Sequence, residues 1–313
     1  MSLACGIDVG GTKIAGGVVD EDGTILERLR VESPAEDPVA IEEAVAGLVR
    51  ELQSRHRFDV VGVGAPGYVA GDRARVLFAP NLAWRDVNLK AELEERVDVP
   101  VVVENDANAA AWGEFRFGAG SDVDDLLLVT VGTGVGGGLV LDGELYRGAF
   151  GFGGEVGHLR VVPDGILCGC GHHGCLEQYG SGSALVREAR QIAANGVPAA
   201  EALLARAGGT VEDIDGPMIT EAARDGDAFA IGRLAELGRW LGSGIASLVT
   251  VLDPAVVALG GGVSEAGDLL LEPLREAFER HLPGREHRPL AEIRRATLGN
   301  AAGMIGAADL ARR

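Results

Sequence analysis

Apolar runs of strand length alternate along this chain with longer segments whose apolar side chains recur at helical spacing. That alternation is typical of an α/β fold. The apolar runs predict strands at Val60–Gly64, Val99–Glu104 and Ala255–Leu259. The helical spacing predicts helices at about Val39–Arg55, from near Asn105, at Gly182–Ala194, at Ala228–Val249 and over 298–313. The looser segment Asn195–Gly216 is expected to be an exposed connection.

Two stretches of the chain, 3–19 and 126–141, share one plan. Each has an apolar run, a turn rich in glycine and threonine, a second apolar run and then an acidic residue followed by glycine. Two apolar runs around such a turn predict a β-hairpin. The repeated plan predicts two halves that each begin with a hairpin. The first half is expected to end near residue 107.

The net charge of the chain limits the classes of partner that it can bind. The 313 residues carry a formal net charge of -19, and Lys13 and Lys90 are the only lysines. Nucleic acid is a poor partner for so acidic a surface. An acidic surface poor in lysine also fits a protein kept soluble in concentrated salt, so we expect a halophilic source. A thermal melt between about 0.1 M and about 3 M KCl tests this, and stability that stayed level or fell would contradict it.

The apolar runs also bear on location. None approaches the ~20 residues that a membrane helix needs, so we expect no membrane partner. The first residues, MSLACGIDVGG, contain neither a basic leader nor a small-residue cleavage site. A cytoplasmic protein is therefore expected.

The two glycine turns are the first candidate for ligand binding. The P-loop signature is absent, and although Gly132, Gly134 and Gly137 satisfy G-x-G-x-x-G, a strand is predicted after them where a dinucleotide site needs a helix. Backbone N–H groups and hydroxyls of such turns can instead hold phosphate oxygens. As a pair, the turns predict a nucleotide site. Its phosphate-binding residues would be Gly10, Gly11, Thr12, Lys13, Gly132, Thr133 and Gly134.

Two further features extend this hypothesis. Asp8, beside the first turn, could hold the hydration shell of Mg²⁺. The strand predicted at 255–259 ends in three glycines, where a flat ring can approach the backbone, so Gly261 and Gly262 are assigned to the nucleoside. Each turn alone could equally be a tight hairpin, and the three glycines could equally allow close helix–strand packing.

Asn105 and Asp106 follow a predicted buried strand and begin a helix. Both residue types are favoured helix N-caps, and capping alone could explain why they occur at this position. The carboxyl end of a strand is also where α/β sheets bind ligands. Phosphoryl transfer needs one carboxylate that orients the attacking hydroxyl and takes its proton. Asp106 is therefore the candidate general base.

Three of the four cysteines lie in CGCGHHGC at 168–175. A disulfide between the first two would close a strained ring, and a single catalytic thiol needs no such neighbours. Three thiolates spaced C-x-C-x4-C instead predict a structural zinc site. The candidate ligands are Cys168, Cys170 and Cys175. Spacing alone leaves the fourth ligand open: His172 or His173 is the simpler choice, and a residue from elsewhere is the alternative.

Six motifs, which run in order from end to end of the chain, resemble the ROK family of bacterial and archaeal sugar kinases. They are DVGGTK at 8–13, ENDANAAAWGE at 104–114, GTGVGGG at 132–138, GGEVGH at 153–158, CGCGHHGCLEQYGSG at 168–182 and LGGGVS at 259–264. The likeness is nearest to the ATP-dependent glucokinases of that family. Several motifs in one order are far more specific than any single glycine pattern.

The resemblance implies an actin-like (ribonuclease H-like) fold, in which two α/β domains close over a sugar and a nucleotide. The small domain would be 1–107 with the C-terminal helix at about 298–313, and the large domain would be 108–297. By the family pattern Asp106 is the general base and the hexose is glucose. The sugar-binding residues would be Asn81, Asn105, Asp106, Glu155, His158 and Glu177. The cofactors would be ATP, Mg²⁺ and structural zinc, and the chain would form a homodimer or homotetramer.

The resemblance also points to His158 as the fourth zinc ligand, so that the zinc would shape the sugar site. His172 and His173 would then be solvent-facing loop residues. Some family members are repressors with a DNA-binding region ahead of the first hairpin, and because the first hairpin motif begins at residue 8 we expect no such region here. The open alternatives are another hexose (fructose, mannose or an N-acetylhexosamine), another phosphoryl donor (ADP or polyphosphate) and a catalytically silent sugar sensor.

Overall fold

The structure is a computed structural model that describes residues 2–313. Its strands are β1 Ala4–Val9, β2 Lys13–Val19, β3 Ile25–Glu32, β4 Val61–Ala65, β5 Tyr68–Val69, β6 Val76–Phe78, β7 Arg85–Val87, β8 Val101–Asn105, β9 Leu126–Val131, β10 Val135–Leu141, β11 Glu144–Tyr146, β12 Val256–Gly260 and β13 Glu292–Arg295. Its helices are α1 Pro38–Gln53, α2 Leu89–Glu94, α3 Asp106–Phe117, α4 Glu177–Gly180, α5 Gly182–Ala194, α6 Glu201–Arg206, α7 Gly216–Arg224, α8 Ala228–Leu252, α9 Asp268–His281 and α10 Ala302–Ala311. The predicted α/β class is confirmed.

The described chain forms two compact units. The first contains the residues up to 128 together with 137–154 and 296–313, and the second contains 129–136 and 155–295. The first unit thus includes 108–128 and 137–154, which the predicted bounds place in the large domain. The physical reason at α3 is its packing on the C-terminal helix, where Trp112 Nε1 donates a hydrogen bond of 2.8 Å to Asp309 Oδ2.

The first unit is built on a sheet of order β3-β2-β1-β4-β8. Strands β1, β2 and β3 pair antiparallel, whereas β1, β4 and β8 run parallel. The register places Asp8 opposite Gly64, and Gly64 opposite Glu104. Because parallel strands end at one edge of a sheet, Asp8 and the pair Asn105–Asp106 share that edge.

The C-terminal segment, with α10 at its end, packs on α3 at two close contacts. Gly306 faces α3 so closely that a Cβ would lie 1.7 Å from the carbonyl oxygen of Ala109. The buried carboxylate of Glu114 accepts hydrogen bonds from the backbone N–H groups of Thr297, at 3.0 Å, and Leu298, at 2.7 Å. The C-terminal segment is thereby fixed to α3.

A second sheet has the order β11-β10-β9-β12-β13, and β5, β6 and β7 form a small third sheet. The two predicted hairpins are confirmed as β1–β2 and β9–β10. The second hairpin continues as a strand after its glycines, as expected for a chain without a dinucleotide fingerprint. The predicted strands and helices are all present, with bounds that differ by a few residues.

The segment 195–216, expected to be an exposed connection, is mostly exposed, but part of it is helical. It contains α6 and two short 3-10 turns at Pro198–Ala200 and Val211–Asp213. Leu203 and Ile214 are fully buried and pack the segment against the rest of the second unit. Among the described helices, none combines the length and the apolar composition that a membrane span requires.

Candidate functional site

The first turn lies at the carboxyl edge of the first sheet. Gly10 N donates a 2.9 Å hydrogen bond to the carbonyl of Lys13, which closes the turn. The side chains of Thr12 and Lys13 are exposed, so both could reach a bound phosphate. Asn81 lies beside Gly11. The structure therefore brings one predicted sugar residue next to the predicted phosphate turn.

Asp8 occupies the end of β1, against Gly303 in the first turn of α10. Burial raises the pKa of Asp8 from 3.8 to about 6, and the positive charge of Arg28 opposes that rise. The carboxyl is still ionised at neutral pH. Its oxygens are of the kind that Mg²⁺ prefers, so the residue fits its predicted role.

Asn105 ends β8 and Asp106 begins α3. Asn105 Oδ1 accepts from Asn108 N at 2.9 Å, so this residue is the N-cap of α3. Its Nδ2 donates to the carbonyl of Gly67 at 3.0 Å and to Asp106 Oδ1 at 3.2 Å. The capping reading is confirmed for Asn105, and these bonds orient the Asp106 carboxylate beside it.

A buried ion pair beneath this edge was missed by the sequence reasoning. Glu104 is 3 % exposed, and its Oε2 accepts a 2.7 Å hydrogen bond from Arg147 Nε. Its Oε1 accepts from the backbone N–H of Asn105 at 3.1 Å. A charged residue at the end of the run VVVEN was the only available signal, and it named no partner.

The second turn, Gly132–Gly134, borders a cavity of about 830 Å³. Gly132, Thr133 and Gly262 line it, which brings together residues predicted for the phosphates and for the nucleoside. Gly261 adjoins Gly262, with a φ of 82° that favours glycine. A cavity of this size suits a nucleotide-sized ligand.

Most of the cavity wall comes from α5 and α7, which the sequence reasoning did not connect with a ligand. The missed wall residues include Val186, Arg187, Arg190, Pro217, Thr220, Glu221 and Arg224. Three of them are arginines in a chain that is otherwise strongly acidic. Arg190 Nε is bound to the carbonyl of Ile214 at 2.9 Å, which fixes this guanidinium at the wall.

The cysteine loop brings four metal-binding side chains together. The ligand atoms of His158, Cys168, Cys170 and Cys175 all lie within 4.8 Å of one another. Cys170 Sγ is 3.6 Å from Cys175 Sγ, and Cys168 Sγ is 3.7 Å from His158 Nδ1. Sulfur atoms that are about 2.3 Å from a tetrahedral zinc lie about 3.8 Å apart. The donor set and its spacing therefore fit zinc.

The neighbouring histidines take no part in this cluster. His172 and His173 are both exposed. The ring Nδ1 of His173 instead bonds to the carbonyl of Gly165 at 2.8 Å. The local choice of fourth ligand is therefore wrong, because the loop turns these two rings outward, and the alternative residue His158 joins the three thiols. The remaining cysteine, Cys5, is buried, which raises its pKa to about 12.

Two further predicted sugar residues, Glu155 and Glu177, lie near this cluster in the second unit. Glu155 is exposed, and its carbonyl accepts the backbone N–H of His158 at 3.1 Å. Glu155 interacts electrostatically with His158 and with Glu177. Glu177 Oε1 lies 3.8 Å from Cys168 Sγ. The four metal-binding side chains and the carboxylates of Glu155 and Glu177 are therefore neighbours in one polar region of the second unit.

Comparison with known proteins agrees with the family resemblance seen in the sequence motifs. The model of the ROK family matches residues 4–313. A glucokinase of Streptomyces coelicolor is 51% identical over 312 residues, which are 100% of this chain and 98% of that protein.

Two solved structures extend this likeness. A ROK glucokinase of Streptomyces griseus, in complex with glucose and AMPPNP, has a TM-score of 0.91 and 52% identity over 99% of each chain. A ROK hexokinase of Thermus thermophilus has a TM-score of 0.82 and 38% identity over 99% of this chain and 98% of its own. These similarities confirm the predicted actin-like fold.

Proposed function

Because this chain belongs to the ROK family, we propose that it is a hexose kinase, specifically an ATP-dependent glucokinase that phosphorylates the 6-hydroxyl of glucose. The observation that carries the proposal is the likeness, over nearly the whole of both chains, to a glucokinase solved with glucose and AMPPNP. The six motifs lie between residues 8 and 264 of the 313. Both the hairpins and the acidic residue after β8 are present, as a working kinase requires.

The nucleotide would occupy the cavity beside the second turn. Thr133 at its wall offers a backbone N–H group and a hydroxyl to phosphate oxygens, and Gly132 beside it leaves room for them. Gly262 leaves room for the nucleoside. The arginine side chains in the wall favour an anionic ligand. The first turn, with Thr12 and Lys13, would bind phosphate oxygens as well.

Asp106 would act as the general base. Its carboxylate takes the proton of the 6-hydroxyl while that oxygen forms a bond to the γ-phosphorus and the bond to the β–γ bridging oxygen breaks. The products are glucose 6-phosphate, ADP and a proton. Asp8 would hold the hydration shell of Mg²⁺, which supplies positive charge to the phosphates when it is bound.

The hexose would be bound by groups that both donate and accept hydrogen bonds. The proposed sugar-binding residues offer amide, carboxylate and imidazole atoms, and they are Asn81, Asn105, Asp106, Glu155, His158 and Glu177. A site of this kind strongly rejects sugars that lack a hydroxyl, because its own polar groups would stay unpaired.

Zinc would be held by His158, Cys168, Cys170 and Cys175. All four ligands come from the protein, so no water would be left for activation and the metal would be structural. Metal on one imidazole nitrogen fixes the ring and leaves the other nitrogen for a sugar hydroxyl. The zinc would therefore shape the sugar site.

Kinetics with matched sugars and donors tests this proposal. We expect kcat/KM to be highest for glucose among glucose, fructose, mannose and N-acetylmannosamine, with ATP as donor. A higher value for fructose or N-acetylmannosamine would overturn the sugar assignment. Faster turnover with ADP or polyphosphate would overturn the donor assignment. Light scattering on the same protein tests the proposed homodimer or homotetramer.

The variant Asp106→Ala distinguishes the kinase from a silent sugar sensor. We expect turnover to fall by about 10³-fold, because the hydroxyl loses its proton acceptor, while glucose affinity changes by less than about tenfold. A wild-type chain that bound glucose without any turnover would favour the sensor. A variant with near-normal kcat would exclude Asp106 as the base.

A further inference from the structure

We propose that Glu177, besides binding the hexose, positions the second turn for the nucleotide. The inference rests on the proposed function, which places the nucleotide phosphates at Gly132–Gly134. Glu177 and this turn belong to the same compact unit. They lie more than forty residues apart in the chain, so sequence alone does not connect them.

The contact is a hydrogen bond to the residue that directly follows the turn. Glu177 Oε2 accepts the backbone N–H of Val135 at 3.1 Å. A bond to a charged acceptor is stronger than one between neutral groups. Val135 is also the first residue of β10, so this bond fixes the point at which the turn enters its strand.

Two more hydrogen bonds join the same region of chain to the turn. Gly182 N donates to the carbonyl of Gly132 at 2.8 Å, and Ser183 N donates to the carbonyl of Thr133 at 3.3 Å. These bonds occupy carbonyl oxygens of the turn. The backbone N–H groups of the turn are what a phosphate needs, and a fixed backbone keeps them aimed in one direction.

Gly134 is explained by this arrangement. A Cβ at Gly134 would lie only 2.3 Å from Glu177 Oε2, which is closer than any real contact. The absent side chain therefore leaves space for the carboxylate. At Gly132, by contrast, a Cβ would meet nothing within 4 Å. One glycine of the motif is required by Glu177, and the other leaves the cavity open.

Glu177 is also well placed to respond to the sugar. It begins α4 two residues after Cys175, and Gln178 N donates to the carbonyl of Cys175 at 3.0 Å. Its two oxygens face different neighbours, Val135 on one side and the cysteine loop on the other. One carboxylate can therefore bind a sugar hydroxyl and hold the nucleotide turn at the same time.

The experiment is calorimetric titration of AMPPNP into the zinc-loaded protein in the absence of any sugar. The variants are Glu177→Ala, which removes the acceptor, and Glu177→Gln, which keeps an oxygen for the N–H of Val135. Glu155→Ala is the matched control, because it removes another predicted sugar carboxylate that has no contact with the turn. Hydrogen exchange at the Val135 amide reports the contact itself.

We expect Glu177→Ala to raise the Kd of AMPPNP about tenfold and to speed exchange at Val135. Glu177→Gln should stay within about twofold of the wild type, and so should Glu155→Ala. The inference is overturned if Glu177→Ala, with exchange elsewhere unchanged, binds AMPPNP as the wild type does. It is also overturned if Glu155→Ala weakens binding equally. A wild-type chain that fails to bind AMPPNP would instead contradict the proposed function.

Discussion

The first hairpin enters its turn through Asp8 and Val9, whereas the second enters through Thr130 and Val131. The first turn thus has an ionisable carboxyl behind it, with a pKa raised to about 6 by burial. The second turn has a neutral hydroxyl at the matching position, and it borders the cavity of about 830 Å³. The turns also close differently, by Gly10 N to the carbonyl of Lys13 and by Gly132 N to that of Gly134.

The difference teaches that one sequence plan can serve two tasks. The first turn brings charge to the site, through Asp8 and the exposed Lys13. The second turn borders the cavity, and its backbone is fixed by hydrogen bonds to the Glu177 carboxylate and to the first residues of α5. Under the proposed function, the first turn would act mainly on the metal and the phosphates, and the second would act mainly on nucleotide affinity.

Removal of the charge behind the first turn should have the largest effect. We expect Asp8→Asn to lower kcat by about a hundredfold or more, because the oxygen that holds Mg²⁺ loses its charge. Steady-state kinetics at saturating ATP and glucose measures this. Asp20→Asn, at the other end of β2, is the control, because the Asp20 carboxylate accepts backbone hydrogen bonds of the acid–glycine turn and interacts with Arg312 rather than with the first turn. A loss of equal size in both variants would contradict a specific role of Asp8.

The same substitution should stabilise the fold at neutral pH. The unfolded chain ionises this carboxyl near pH 3.8 and the folded chain near pH 6, so stability falls as the pH rises between these values. The difference corresponds to at most about 3 kcal/mol. Urea unfolding of the nucleotide-free protein should give Asp8→Asn a higher free energy of unfolding at pH 7 than the wild type. The gain should vanish below about pH 4.

Loss of the metal cluster should have the next largest effect. We expect Cys170→Ala to lose zinc, measured by elemental analysis, and to raise the KM for glucose about tenfold. The KM for ATP should rise less, because Gly132 and Thr133 keep their backbone hydrogen bonds to α5. Equal increases in both KM values would mean that the metal only holds the fold together.

A matched pair of glycine substitutions should give the smallest effects and compare the turns directly. A Cβ at Gly134 would lie 2.3 Å from Glu177 Oε2, whereas a Cβ at Gly11 would lie 3.3 Å from Asn81 Cβ. We expect Gly134→Ala to raise the KM for ATP about fivefold, and Gly11→Ala about twofold. Equal values, measured at saturating glucose, would show that the two turns are supported in the same way.

The sequence allowed much of the fold to be predicted, because the information is local. The hairpins follow from apolar runs around glycine turns, and the N-cap Asn105 follows from its position between a strand and a helix. The three thiols could be read as a metal site from spacing alone. Their fourth partner could not, because His158 is ten residues away from Cys168 and only the fold brings the two together.

The rest depended on contacts between distant segments. Nothing in the sequence pairs Glu104 with Arg147, or Glu177 with Val135. The cavity wall was missed for the same reason, since α5 and α7 look like ordinary amphipathic helices until their neighbours are known. Local patterns identify which residues can do chemistry, and long-range packing decides which of them meet.

The attachment of the C-terminal segment to α3 has a consequence for how the protein is made. Trp112 and Glu114 find their partners in residues 297–309, which lie 183 to 197 residues further along the chain. The packing of α3 therefore cannot be completed during synthesis before residues 297–309 have emerged. Until then Ala4 and Val19 lack their partners Ile305 and Ala308, and the part of the sheet that α10 covers is open to apolar contacts with other molecules.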